Sequence, residues 1–173
     1  MQYRRAFQSG GCYFFTLVSH QRRTDLLLPQ WPRLKEALLI TQRQRPFTID
    51  ALCVMPDHLH LMLTLPQDDD DFPTRLRLFK TRFTKSLNMS ERIWQRRYWE
   101  HLIRDPADYQ AHFDYLHYNP VKHGLVTQVA DWPYSTFHRY VADGVYPVDW
   151  GITELEIPSG QFDSHCRDGR RFD

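Results

Sequence analysis

The stretch from Phe47 to Leu65 limits the fold more tightly than any other part of the chain. Side chains on a β-strand alternate between its two faces, so residues two apart share a side. From His58 onward one row holds Leu59, Leu61, Leu63 and Leu65, and the other holds His58, His60, Met62 and Thr64. The leucine row reads as a core face, which predicts a strand packed on that side. Pro56-Asp57 reads as a tight turn, with Phe47 to Met55 as the strand before it. The second row sets two imidazoles side by side on a rigid strand, half of a divalent-metal site. In a chain with nine histidines such a pair also arises by chance.

A second segment adds to the pair. Asp105 suits a helix cap and Pro106 the first helical position. Tyr109, Phe113 and Leu116 then recur at helical spacing, which predicts a helix ending near Asn119-Pro120, because a proline disfavours helical backbone in the residue before it. Tyr115 and Asn119 lie four apart and share one face. A phenol and an amide oxygen on that face can reach a metal held by two histidines. The plainer alternative is that Tyr115 packs in the core.

At 173 residues the chain has the length of about one domain. We expect that domain over residues 1–150, followed by a Pro-, Gly- and Asp-rich tail over 151–173. No apolar run approaches the roughly eighteen residues of a membrane helix, and Met1 to Ala6 leads into no hydrophobic stretch of a signal peptide. Cys12, Cys53 and Cys166 are odd in number and far apart, which points to a reducing cytoplasm rather than a disulfide framework.

The net charge of +1 conceals strong segregation. Residues 1–45 hold eight Lys or Arg against two acids, and residues 72–104 hold nine against two. Residues 46–71 hold six acids and no base, and residues 105–173 eleven acids against five bases. Basic segments of this density suggest phosphate contacts if they converge in space, and solvated helix faces if they do not.

The remaining elements follow from periodicity. Gly11 to Ser19 reads as an aromatic and β-branched strand, and Trp31 to Gln44 as a helix. Phe72 to Leu87 reads as a second helix, buried through Leu76, Phe79, Phe83 and Leu87. Its Arg75, Arg77, Lys80, Arg82 and Lys85 are expected off that stripe. The acidic loop Asp68 to Asp71 is assigned only solubility and helix N-terminal charge. Tyr98 to Arg104 reads as a fourth strand and Ser135 to Ala142 as a short helix. The order β-α-β-β-α-β plus a helix predicts an α+β fold, a ferredoxin-like antiparallel sheet with helices on one face and an added C-terminal helix bearing Tyr115.

Five ordered blocks then match a known family. They are Tyr3-Arg4-Arg5-Ala6, Met55-Pro56-Asp57-His58-Leu59-His60, Ile93 to His101, Tyr115 to Val126, and Asp131 to Tyr140. On these the chain resembles the REP-associated tyrosine transposases, a branch of the IS200-like HUH single-tyrosine transposases, from about Tyr3 to about Trp150. The resemblance implies the same sheet architecture. It also implies cleavage and rejoining of single-stranded DNA at hairpin-forming repeats with a flanking 5′ tetranucleotide.

Carried onto these residues, the resemblance makes Tyr115 the nucleophile that forms a 5′-phosphotyrosine link. His58, His60 and Asn119 become ligands to Mg²⁺ or Mn²⁺, a better match than structural zinc for mixed N/O ligation. Family members often carry Gln where this chain has Asn119. Tyr118, three residues on, is the rival nucleophile, and His117 and His123 are expected to be structural or DNA-contacting. Candidate DNA contacts are Arg4, Arg5, Arg75, Arg82, Lys85, Trp94, Gln95, Arg96, Arg97 and Lys122. Burial is the alternative for Trp94 and Trp99. The resemblance and the short link between the fourth strand and the Tyr115 helix favour a monomer, although related enzymes exchange tyrosine helices in dimers. A hairpin-binding regulator that does not cleave is the rival from another class, and a ferredoxin-like RNA-binding module is the weaker third.

Overall fold

Alternation between the two faces of each strand builds the molecule outward from its sheet. A computed structural model describes residues 6–151. Its strands are β1 (Cys12–Val18), β2 (Thr48–Val54), β3 (His58–Thr64) and β4 (Trp99–Leu102), and its helices are α1 (Trp31–Gln44), α2 (Phe72–Ser86), α3 (Pro106–Lys122) and α4 (Phe137–Ala142). The four strands form one antiparallel sheet in the order β2-β3-β1-β4. This is the ferredoxin-like arrangement expected from the element order.

Both faces of the sheet are covered. Phe15 and Leu17 of β1, Leu52 and Val54 of β2, and Leu59, Leu61 and Leu63 of β3 point toward α1 and α2. Leu34 and Leu38 of α1 and Leu76, Phe79 and Phe83 of α2 meet them there. Each such side chain contributes about 1.5–3 kcal/mol on leaving water. On the other face Phe14, Ala51, Cys53 and Met62 pack against Phe113, Tyr115 and Leu116 of α3, with Phe137 of α4 behind. His58 and His60 therefore lie between the sheet and α3. A register shift between Ile49 and Ala51 leaves Asp50 as the extra residue of β2.

Helix α3 has the cap its sequence predicts, and α2 has one at Asp71, read from the sequence only as N-terminal charge. Asp71 accepts from the Thr74 N–H at 3.1 Å, and Asp105 accepts from the Asp108 N–H at 2.8 Å. The end of α3 differs from expectation, because the helix runs through Asn119-Pro120 to Lys122. Pro120 lies in the last turn, where its ring disturbs little that follows. Gly124 adopts φ +68°, and the N–H groups of Gly124 and Leu125 bond the carbonyls of Val121 and Pro120. That Schellman ending satisfies the terminal carbonyls and lets the helix close beyond the proline.

Candidate active site

Strand β3 sets the two histidines, and its neighbours orient them. His58 Nδ1 lies 2.6 Å from Asp57 Oδ1, and His60 Nδ1 lies 2.9 Å from Thr16 Oγ1 on β1. Arg22 holds the other Asp57 oxygen at 2.9 Å. Gln21 and Arg22 adopt φ of 56° and 51° in the turn that brings that guanidinium over, a conformation costing an ordinary residue about 1–2 kcal/mol. Burial raises the Asp57 carboxyl, but the hydrogen bond and charge of His58, with Arg22, outweigh it and bring the group down to about 2.

With both Nδ1 atoms engaged, each ring turns Nε2 inward. His58 Nε2, His60 Nε2 and both amide atoms of Asn119 are buried with no hydrogen-bond partner among the described residues. Buried polar atoms are seldom left so. Burial, with the charges of His58 and His123, holds His60 well below the ordinary histidine range, so its imidazole is neutral, the form a metal requires.

The two rings are 4.8 Å apart between centroids, and His60 is 5.5 Å from the ring of Tyr115. Tyr115 is buried, with the Lys122 Nζ 4.9 Å from its ring centroid. Asn119 follows one turn along α3, so the shared face read from the sequence is present. Tyr118 turns the other way, 6.4 Å from Trp150. His117 also faces away; its Nδ1 lies 2.9 Å from the Phe113 carbonyl and its Nε2 2.9 Å from Thr136 Oγ1. Burial brings His117 down to about 3, so it is neutral and structural.

Burial corrects two of the expected DNA contacts. Arg75 is 2% exposed, and its guanidinium bonds Asp69, the Asp71 carbonyl and the Pro46 carbonyl. The acidic loop folds back over α2 and draws this arginine inside. Trp94 is also buried, packed on Phe79 and Phe83 in the core rather than offered to a base. Of the others, Arg96, Arg97 and Lys85 are exposed. Arg82 is tied to Thr41 and Gln44 of α1. The Gln95 N–H bonds the Val18 carbonyl at 2.9 Å, and Lys122 lies over Tyr115. Arg4, Arg5 and the tail from residue 152 lie outside the described residues.

Two residues at the site were not singled out from the sequence: Thr16 and Asp57, which orient the histidines. His123, expected to be structural or DNA-contacting, stands 5.9 Å from His58. Asp57 adjoins His58 in the chain, a local signal; Thr16 depends on strand register, which no short motif encodes. A second unforeseen group is His101, Asp108 and His112, whose ligand atoms lie within 4.8 Å of one another and could hold a metal ion. Here, however, Asp108 Oδ2 is already met by His101 Nε2 at 2.8 Å and by Arg104 Nε at 3.2 Å. Arg104 supplies the positive charge that an ion would bring.

No protein-family model matches the chain. A REP-associated tyrosine transposase of Escherichia coli (strain K12) is 48% identical over 160 residues, 92% of this chain and 96% of the relative. The chain belongs to that family. A relative from Haemophilus influenzae described in the same family is 46% identical over 162 residues, 86% of this chain and 92% of its own length. A solved structure of a REP-associated tyrosine transposase bound to a REP hairpin is 48% identical and superposes with a TM-score of 0.84, over 91% of this chain and 96% of that one. The REP-associated tyrosine transposases are DNA strand transferases, and the α+β architecture of this chain is theirs. Among the described residues no helix is long and apolar enough to cross a membrane.

Proposed function

We propose that this transposase cuts and rejoins single-stranded DNA at hairpin-forming REP-like repeats, using Tyr115 as the nucleophile. The observation that carries the proposal is the pair of buried, unpartnered Nε2 atoms of His58 and His60 beside the Tyr115 ring. In the forward step the Tyr115 Oη forms a bond to the scissile phosphorus and the bond from phosphorus to the 3′ oxygen breaks. The phenolic proton leaves, the departing oxygen takes up a proton as a 3′-OH, and a 5′-phosphotyrosine remains. Attack by a 3′-OH on that link reverses the exchange, so rejoining needs no outside energy source.

The residues fit the divalent ion that the family implies. His58 Nε2, His60 Nε2 and the Asn119 amide oxygen would hold Mg²⁺ or Mn²⁺, which when bound neutralises charge on the phosphate oxygens. A free phenol has a pKa near about 10, so little phenolate exists at neutral pH. The Lys122 ammonium over the ring favours the anion electrostatically. Thr16 and Asp57 hold the two imidazoles in the orientation that turns Nε2 inward, as outer partners of metal ligands do.

The hairpin-bound structure of a relative supports a REP-like hairpin as the substrate here; the flanking 5′ tetranucleotide is what the family resemblance adds. Arg82, Lys85, Gln95, Arg96 and Arg97, with Arg4 and Arg5, are the proposed DNA contacts; Lys122, over the Tyr115 ring, is assigned to the phenol instead. Residues 1–150 would form one catalytic domain acting in the cytoplasm as a monomer, with Tyr115 serving the histidines of its own chain. A hairpin binder that does not cleave would have no use for the histidine pair and the tyrosine together. Incubation with a single-stranded hairpin and Mn²⁺ tests the proposal. A covalent adduct should appear on a denaturing gel, vanish with Tyr115→Phe and persist with Tyr118→Phe. The reverse pattern moves the nucleophile to Tyr118, and tight binding with no adduct favours the non-cleaving protein.

A further inference from the structure

Helix α2 turns Pro73, Arg77, Lys80 and Thr81 to one side, off its buried stripe, and the segment before β4 brings Arg96 and Tyr98 beside them. Together they line an open recess of about 350 Å³ with three cations and no carboxylate in its wall. Arg77 and Arg96 are exposed. Lys80 is half-buried; its Nζ donates to the Gln95 carbonyl at 2.9 Å and lies 5.9 Å from the centre of the Tyr98 ring. Burial and the charge of Arg92 bring the Lys80 ammonium down to about 8. A cation so placed gains from an arriving anion.

Size and position narrow the ligand. Small-ligand pockets run from roughly 300 to 1,000 Å³, and this open recess has room for a single nucleotide. The Gln95 N–H bonds the Val18 carbonyl, and Val18 pairs with His58. Two strand spacings of about 4.8 Å each therefore separate His58 from the line of Gln95 at the sheet edge. The recess opens on the α2 side of that edge and Tyr115 sits on the α3 side. A short single strand crossing the edge would join them.

We infer that this recess grips a backbone phosphate and its nucleotide on the single-stranded flank of the substrate, through Arg77, Lys80 and Arg96. The assignment rests on the strand-transfer reading for the identity of the strand. It extends the DNA contacts to Arg77, Lys80 and the wall formed by Tyr98. Grip of this kind is tolerant of sequence, because its charge is directed at the backbone.

The test uses two oligonucleotides with the same stem, one blunt and one carrying a single-stranded 5′ extension. Binding is followed by fluorescence anisotropy across a salt series. Arg77→Gln and Arg77→Ala change one exposed side chain and leave the core intact. Each should weaken binding of the extended hairpin by about tenfold and lower its salt slope by about one, with the blunt hairpin unaffected. Unchanged affinity and slope for the extended hairpin, or equal losses on both DNAs, would overturn the assignment. The Tyr115 adduct assay is independent of it. An adduct together with normal binding by both variants removes the recess alone. Loss of tail-dependent affinity with no wild-type adduct removes the cleavage reading and keeps the recess.

Discussion

Lys122 holds its ammonium 4.9 Å from the centre of the Tyr115 ring, two turns further along the same helix. A cation thus stands beside the phenol on the same rigid element, independent of DNA. Lys122→Met should lower the cleavage rate by about tenfold, roughly 1.4 kcal/mol in barrier, with hairpin affinity nearly unchanged. Single-turnover cleavage and equilibrium binding separate the two effects. A loss of affinity equal to the loss of rate would make Lys122 a phosphate contact instead.

In the proposed site His58 serves as a metal ligand, a role that packing does not require. The leucine row on the opposite side of β3 is untouched by His58→Ala, and Asp57 keeps its Arg22 partner. Cleavage should disappear while far-UV circular dichroism is preserved and Tm falls by no more than about 6 °C. Loss of cooperative unfolding in this variant would assign His58 to the core.

Arg75 should behave in the opposite way. Its removal takes a partner from the Asp69 carboxylate and from two backbone carbonyls that it now satisfies. Asp69 is part-exposed and turns to water, so the loss comes mainly from the unmet carbonyls and the lost packing, about 1–3 kcal/mol. Urea unfolding of Arg75→Met should show that loss, with hairpin affinity intact at low temperature. Weaker binding without loss of stability would return Arg75 to the DNA surface.

Asp108 links stability to acid pH. Burial raises its carboxyl, but hydrogen bonds from His101 and from Arg104 outweigh this and bring it down to about 2, below its unfolded value near about 3.9. A group depressed on folding stabilises the protein above its unfolded pKa, and that contribution is lost as pH falls through the folded one. The stability gap between wild type and Asp108→Asn should be full above about pH 4 and shrink toward about pH 2. A gap that does not vary with pH over this range would show that the charge of Asp108 contributes nothing.

Local periodicity made much of this fold legible. The bounds of α1 at Trp31 and Gln44, the alternating rows of β3 and the shared face of Tyr115 and Asn119 each follow from spacing within one element. What escaped depends on pieces distant in the chain. Thr16 reaches His60 only through strand register, and Arg75 is buried because a loop folds over its own helix. Trp94 offers the same residue type to a core or to a base, and only the packing of Phe79 and Phe83 decides. The stop expected at Pro120 failed because a glycine cap four residues later closes the helix.

Crystals soaked in Mn²⁺ and measured at the manganese absorption edge test the central claim most directly. The account predicts an anomalous peak bounded by His58 Nε2, His60 Nε2 and Asn119, beside the Tyr115 ring. A peak among His101, Asp108 and His112 instead, with the histidine pair of β3 left empty, would contradict it.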